Sequence, residues 1–138
     1  MSIDLDGNDY YIAEKLLNNG VRPYLFIMEY NSKFIPPIEF KIDYQADFGF
    51  KLTDYFGVSL ASLDKLLSAH GYFLVCCNSF TGGNAFFVRN EHRHLFPEIP
   101  ERIEDIWCPP MYFLPPSYGY ATDPRTLEVL FRALQQDR

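Results

Sequence analysis

The sequence predicts an α/β fold of parallel strands joined by helical crossovers, with a closing antiparallel β-hairpin. Three observations predict it. Apolar runs of strand length alternate with segments of helical period, the order that builds βαβ units. Helix-starting residues (Asn8, Asp9, Ser59, Asp123) and helix-stopping glycines (Gly20, Gly71) fall at the joints. Two strand-like runs, 71–78 and 84–88, are separated by a short glycine-bearing turn.

Taken in order, Met1 to Asp6 alternates as a short strand, with Ile3 and Leu5 on one side and Asp4 and Asp6 on the other. Gly7 breaks it, and Asn8 or Asp9 caps a helix whose inner positions are Tyr11, Ile12, Leu16 and Leu17. Residues 24–28 (YLFIM) are apolar at both alternating positions, as in a strand buried between two helical layers. Residues 32–57 lack a period and are expected to form a long loop bent at Pro36-Pro37. Ser59 caps a second helix with Leu60, Leu63, Leu66 and Leu67 inward, and the hairpin follows. Residues 89–102 are charged and expected to be exposed, and 107–120 form a Pro/aromatic loop. Asp123-Pro124 opens a last helix striped by Leu127, Leu130, Phe131 and Leu134.

A chain of 138 residues, 48% hydrophobic and 17% aromatic, has enough apolar surface for one core and is too short for two comfortable domains. That composition excludes wholesale disorder. No apolar run reaches transmembrane length and no leader pattern opens the chain, so a soluble, cytoplasmic protein is expected. The net charge of -6, without a Lys/Arg cluster, argues against nucleic acid or an anionic membrane as partner. Of three cysteines, Cys76 and Cys77 are adjacent in an apolar run, so their side chains take opposite faces of a strand. Both are expected to be buried, reduced thiols and not a disulfide or zinc site.

The densest polar cluster is Asp4-Leu5-Asp6-Gly7-Asn8-Asp9, where the first strand meets the first helix. Open α/β sheets bind ligands at the carboxyl ends of their strands. The second strand delivers Glu29, Tyr30 and Asn31 to that same edge, and the third delivers Asn78 and Ser79. Helix capping by Asn8, Asp9 and Ser59, and turn formation by Asn31, is the competing reading. A calcium loop fails, because its twelfth position from Asp4 is Lys15. An Asp-x-Asp site for magnesium or manganese, as in metal-dependent glycosyltransferases, remains open at Asp4 and Asp6, which would share one strand face. His92 and His94 lie in a charged loop without a third ligand, and His70 is expected at a helix C-terminus.

Five segments in order carry a family resemblance: 2–10 (SIDLDGNDY), 29–32 (EYNS), 55–60 (YFGVSL), 71–75 (GYFLV) and 84–88 (NAFFV). Together they resemble the later half of FkbM-like S-adenosylmethionine-dependent methyltransferases. The resemblance covers residues 2 to about 90 and implies a partial Rossmann-like sheet. Its first two strands would be the fourth and fifth of that fold, and the hairpin the sixth and seventh, the seventh antiparallel. Residues 1–90 would form the C-terminal half of a methyltransferase-like α/β domain, lacking the first half with its glycine-rich cofactor loop. Residues 91–138 would be a Pro/aromatic loop and terminal helix packed on the same domain. The resemblance implies methyl transfer from S-adenosylmethionine to a hydroxyl of a sugar or other small metabolite. It places cofactor contacts at Asp6, Gly7 and Asn8. Asp6, Asp9 and Glu29 would be base or metal ligand, and Asn31, Asn78 and Ser79 would orient the acceptor. A divalent metal at Asp4 and Asp6 is a further expectation. A sheet open at its first strand is expected to form a homodimer or to bind a partner chain that covers that edge. A non-catalytic α/β binding or assembly module is the alternative.

Overall fold

The computed structural model describes residues 1–80, 82–110 and 123–136. Four strands form one sheet in the order β1-β2-β4-β3: β1 (Ser2–Ile3), β2 (Leu25–Glu29), β3 (Tyr72–Cys77) and β4 (Asn84–Arg89). β1 pairs parallel to β2, whereas β4 runs antiparallel to both β2 and β3. β1, β2 and β3 therefore all point one way, and their carboxyl ends share an edge. The hairpin docks through its second strand, so β4 lies inside the sheet and β3 forms its far edge. Three helices accompany it: α1 (Asp9–Asn18), α2 (Leu60–Ala69) and α3 (Pro124–Gln136).

Local chemistry sets the helix ends. Gly20, at φ +79°, donates its N–H to Leu17 O, while Val21 N–H reaches Leu16 O, the paired bonds of a Schellman stop. Ser59 Oγ accepts from Ser62 N–H at 3.2 Å and from Phe40 N–H at 3.0 Å, so this cap also ties down the long loop. Gly71, at φ +83°, closes α2.

The core lies on one face of the sheet. Ala13 and Leu17 of α1, Leu63 and Leu67 of α2, and Phe26, Met28 and Phe87 of the strands belong to one buried cluster. The other face of β2 and β4, with Leu25, Ile27, Phe86 and Val88, is only half covered. This corrects the expectation that 24–28 lies between two helical layers. Both crossovers, β1-α1-β2 and β2-α2-β3, advance the same way across the sheet. Right-handed connections of that kind put their helices on one side.

The opening strand is also shorter than its alternation suggests. The chain leaves the sheet after Ile3, and Leu5 is exposed. Cys76 is exposed and Cys77 buried, which bears out the opposite faces and corrects the burial of Cys76. The register shifts between Leu74 and Cys76, so Val75 is an extra residue that bends β3.

The 32–57 segment is largely irregular, with a cis bond at Pro36-Pro37. It is more than a surface loop, because Phe34, Phe40 and Ile42 form a second small core under Val129 and Leu130 of α3. Asn90–Leu95 forms a 3-10 helix, mostly exposed. Of the 107–120 loop, residues 111–120 lie outside the described residues. Most of the α3 stripe is turned outward: Leu127, Phe131 and Leu134 are exposed, whereas Leu130 packs on the second core and Thr126 is buried.

Candidate functional site: a carboxylate rim at the strand ends

The β1-α1 turn is built around Asp9. Its carboxylate accepts from Leu5 N–H at 2.9 Å and from Gly7 N–H at 3.0 Å, and the side chain is fully buried. Burial pushes its pKa up, against the pull of these amides. Between the two amides Asp6 takes a left-handed conformation, φ 58°. The turn therefore curls back over the end of β2, and Asp6 N–H donates to Glu29 Oε2 at 3.1 Å. Asp4, Asp6 and Glu29 each offer a carboxylate oxygen, all within 4.8 Å of one another. The acids meet because the turn folds over, not because a strand aligns Asp4 with Asp6.

Glu29 is the last residue of β2 and sits on the open face, in step with Leu25 and Ile27. Burial pushes its pKa up to about 8, aided by the charges of Asp4, Asp9 and Asp6. It is thus a carboxyl group that holds its proton near neutrality, beside two exposed carboxylates. Such a set can exchange a proton with a hydroxyl, bind sugar hydroxyls, or gather oxygen-loving divalent ions.

The other expected site residues fall in different places. Asn8, at the cap position of α1, makes no cap bond. Its amide donates to Gln45 O at 2.6 Å and its Oδ1 accepts from Gln45 N–H, which pins the 41–48 segment beside the rim. Gly7 is buried, and a Cβ there would run into the Phe48 ring. Asn31 turns inward, donating to Asp54 O at 2.8 Å and Phe56 O at 3.1 Å. Asn78 lies on the shared edge: its N–H meets Asn84 O, and its Oδ1 accepts from Phe80 N–H in a side-chain turn. Ser79 is exposed beside it. Asp6, Glu29 and Asn78 thus occupy one edge, but only the acids touch. His92 packs against Tyr24 and faces Glu91 at 3.3 Å. The sole metal-competent group of acids, His or Cys among the described residues is Asp4, Asp6 and Glu29.

Sequence reasoning missed a second polar centre. Asp54 is buried. Its Oδ2 meets Lys33 Nζ at 2.7 Å, and its Oδ1 accepts from Asp123 N–H at 2.8 Å and Thr126 Oγ1 at 2.7 Å. Burial opposes its ionisation, but Lys33 and these donors prevail and hold its pKa below the usual carboxylate range. These partners stand 21, 69 and 72 residues away, so no local signal announces them. A cavity of about 300 Å³ lies over it, lined by Lys33, Ile35, Trp107 and Leu130 among others.

As for S-adenosylmethionine, the rim suits an acceptor hydroxyl or a cation. Gly7 faces the Phe48 ring, and the Asn8 side chain is engaged by the Gln45 backbone. Comparison with family models, with curated proteins and with solved structures finds no match.

Proposed function

We propose that this chain carries the acceptor side of an S-adenosylmethionine-dependent O-methyltransferase site acting on a sugar or another small hydroxylated metabolite. The observation that carries the reading is the Glu29 carboxyl, fixed by Asp6 N–H beside Asp4 on the open sheet face. Three strands running one way and a last strand running against them also agree with the resemblance. Methyl transfer is a displacement that needs the acceptor positioned and its proton removed. Above its pKa of about 8 Glu29 is ionised and takes that proton, so the reaction quickens as pH rises toward that value, and Asp4 and Asp6 orient neighbouring hydroxyls. S-adenosylmethionine supplies the methyl group. Its nucleoside is held on a unit that extends the sheet past β1.

Handedness supports such a unit. All-parallel sheets have both faces covered, and strands added beyond β1 would extend the parallel part of this mixed sheet. Strands added beyond β1, with crossovers advancing the other way, would lay their helices over Leu25, Ile27, Phe86 and Val88. The deciding experiment is calorimetric titration of S-adenosylmethionine into the chain, alone and with the product of the adjoining reading frame. Binding only in the mixture, weakened by Glu29→Gln when acceptor is present, is the expected result. Heatless titrations in both cases remove the enzyme reading.

A second reading has its own observation. The half-open sheet face forms a groove of about 450 Å³ lined by Leu25, Val75, Phe86 and Val88 among others. On this reading the chain is a non-catalytic assembly module. A stable dimer by light scattering, with no cofactor binding, favours it. On a third, the rim serves a metal-dependent glycosyl transfer, and manganese binding that survives Asp4→Ala dismisses it.

A further inference from the structure

We propose that Cys77 and Cys108 are a reversible redox pair, joined under oxidising conditions by a disulfide that ties the segment before Pro109 to the carboxyl end of β3. The inference is independent of the methyl-transfer reading. Both side chains belong to the same core, Cys77 within it and Cys108 packed on its margin. Cys108 Sγ lies 3.8 Å from the Cys77 carbonyl oxygen, and the Cys77 sulfur is in turn hydrogen-bonded by the Cys108 backbone. Each sulfur thus reaches the other residue's main chain. Tyr30 joins them, donating its hydroxyl to Cys108 O at 3.1 Å and hydrogen-bonding the Cys77 thiol. The turn after β3 also lies close to this segment: the place of a Cβ on Gly82 is 2.6 Å from Pro109 O, so only glycine fits there. Close backbones with side chains reaching toward each other are what a disulfide demands. Cys76 takes the opposite face and is exposed.

The chemistry balances with a small disulfide such as oxidised glutathione. The Cys108 thiolate, on the partly exposed side, attacks one glutathione sulfur, and the S–S bond breaks to release one glutathione thiolate. Cys77 gives its proton to solvent and attacks the Cys108 sulfur of the mixed disulfide, releasing the second glutathione thiolate. The protein thiols lose two electrons, glutathione disulfide gains them, and the two protons end on the two glutathiones. Burial pushes the Cys77 thiol up to about 12, so the second step quickens as pH rises. The bridge would also fix the Tyr30 hydroxyl contact, one residue from Glu29.

The test uses the full chain, reduced, exposed to oxidised glutathione and quenched with iodoacetamide before intact-mass measurement. Cys76→Ser is expected to lose the mass of two hydrogens and to retain no glutathione. Cys108→Ser is expected to form no internal bridge and to carry glutathione on Cys76. Bridging in folded Cys76→Ser should run at least about tenfold faster than in the same protein in urea, because folding supplies the proximity. Cys77→Ser places a hydroxyl in the core, so the decision rests on the other two variants. A Cys76→Ser protein that accumulates only glutathione adducts overturns the proposal, as does bridging that is no faster in the folded state.

Discussion

Glu29 carries a physical tension that a pH titration can read. In the unfolded chain its carboxyl ionises in the ordinary range, near 4.5, whereas the folded environment defers this to about 8. The folded state therefore binds the proton more tightly. No penalty exists below the unfolded pKa, a penalty builds as pH rises between the two values, and it is complete above the higher one. Glu29→Gln keeps the shape and the acceptor oxygen and removes that penalty. The melting temperature of the variant should exceed that of the parent at pH 8 and converge with it near pH 4. Parallel melting curves across that range would contradict the assignment. Asp9, its pKa also pushed up by burial, has a structural part besides: it holds two amides of the turn and, with them, the left-handed Asp6. Asp9→Ala leaves two backbone donors without their acceptor and should cost about 1–3 kcal/mol in urea unfolding. It should also loosen the Asp6–Glu29 contact, so that the Glu29 titration moves back toward that of an ordinary carboxylate. The meeting of Glu29 with the acidic cluster was legible from the strand order, whereas the hold of Asp9 on the turn was not. The spacing Asp4-x-Asp6 suggested a shared strand face, but the chain had already left the sheet.

At the scale of elements, the parts decided by neighbours in sequence were legible. Ser59 as a cap and Gly20 and Gly71 as stops all act through bonds a few residues long, and the structure has each of them. The hairpin 72–89 was readable for the same reason. What escaped were bonds between distant segments. Asn31 reads as a turn residue at a strand end, and its Oδ1 does accept from Lys33 N–H, but its amide also clamps the backbone at Asp54 and Phe56. The stripe of α3 reads as a face to be buried, yet Asp54 captures Thr126 and the Asp123 amide and so fixes which side docks. The carboxylate of Asp54 ionises more readily folded than unfolded, so its contribution is present above the usual Asp pKa and is lost as acid protonates the folded form. Asp54→Ala should therefore cost about 1–3 kcal/mol at pH 7 and much less at pH 2, because the Asp123 amide and the Thr126 hydroxyl lose their acceptor. Limited proteolysis of the variant at neutral pH should cut first around α3, whereas cleavage at the parent's own sites would argue that Asp54 does not hold this helix.

For the molecule as a whole, the decisive fact is that α1 and α2 share a side. Pattern alone could not reveal it, since Leu25 and Ile27 are as apolar as Phe26 and Met28 and the string reads as buried throughout. Handedness, which acts on the order of strands and not on residues, leaves half of that apolar surface without a helix. No helix among the described residues is long and apolar enough to cross a membrane. Replacing Phe86 by Asp tests the role of that apolar surface: the side chain points to the open face, so the fold should survive. Self-association by light scattering and binding of a fluorescent apolar dye should both fall. Loss of cooperative unfolding in this variant would mean that the face is part of the core after all.

The position of β4 has a consequence for how the chain comes into being. Leu25 pairs with Val88 and Phe73 also pairs with Val88, so the strand made last joins the two made before it. Among the described residues, until it leaves the ribosome β2 has only the two-residue β1 beside it and β3 has no strand beside it. Synthesis must therefore pass residue 89 before a sheet can exist, and a nascent chain arrested near residue 80 should remain open to chaperones and proteases.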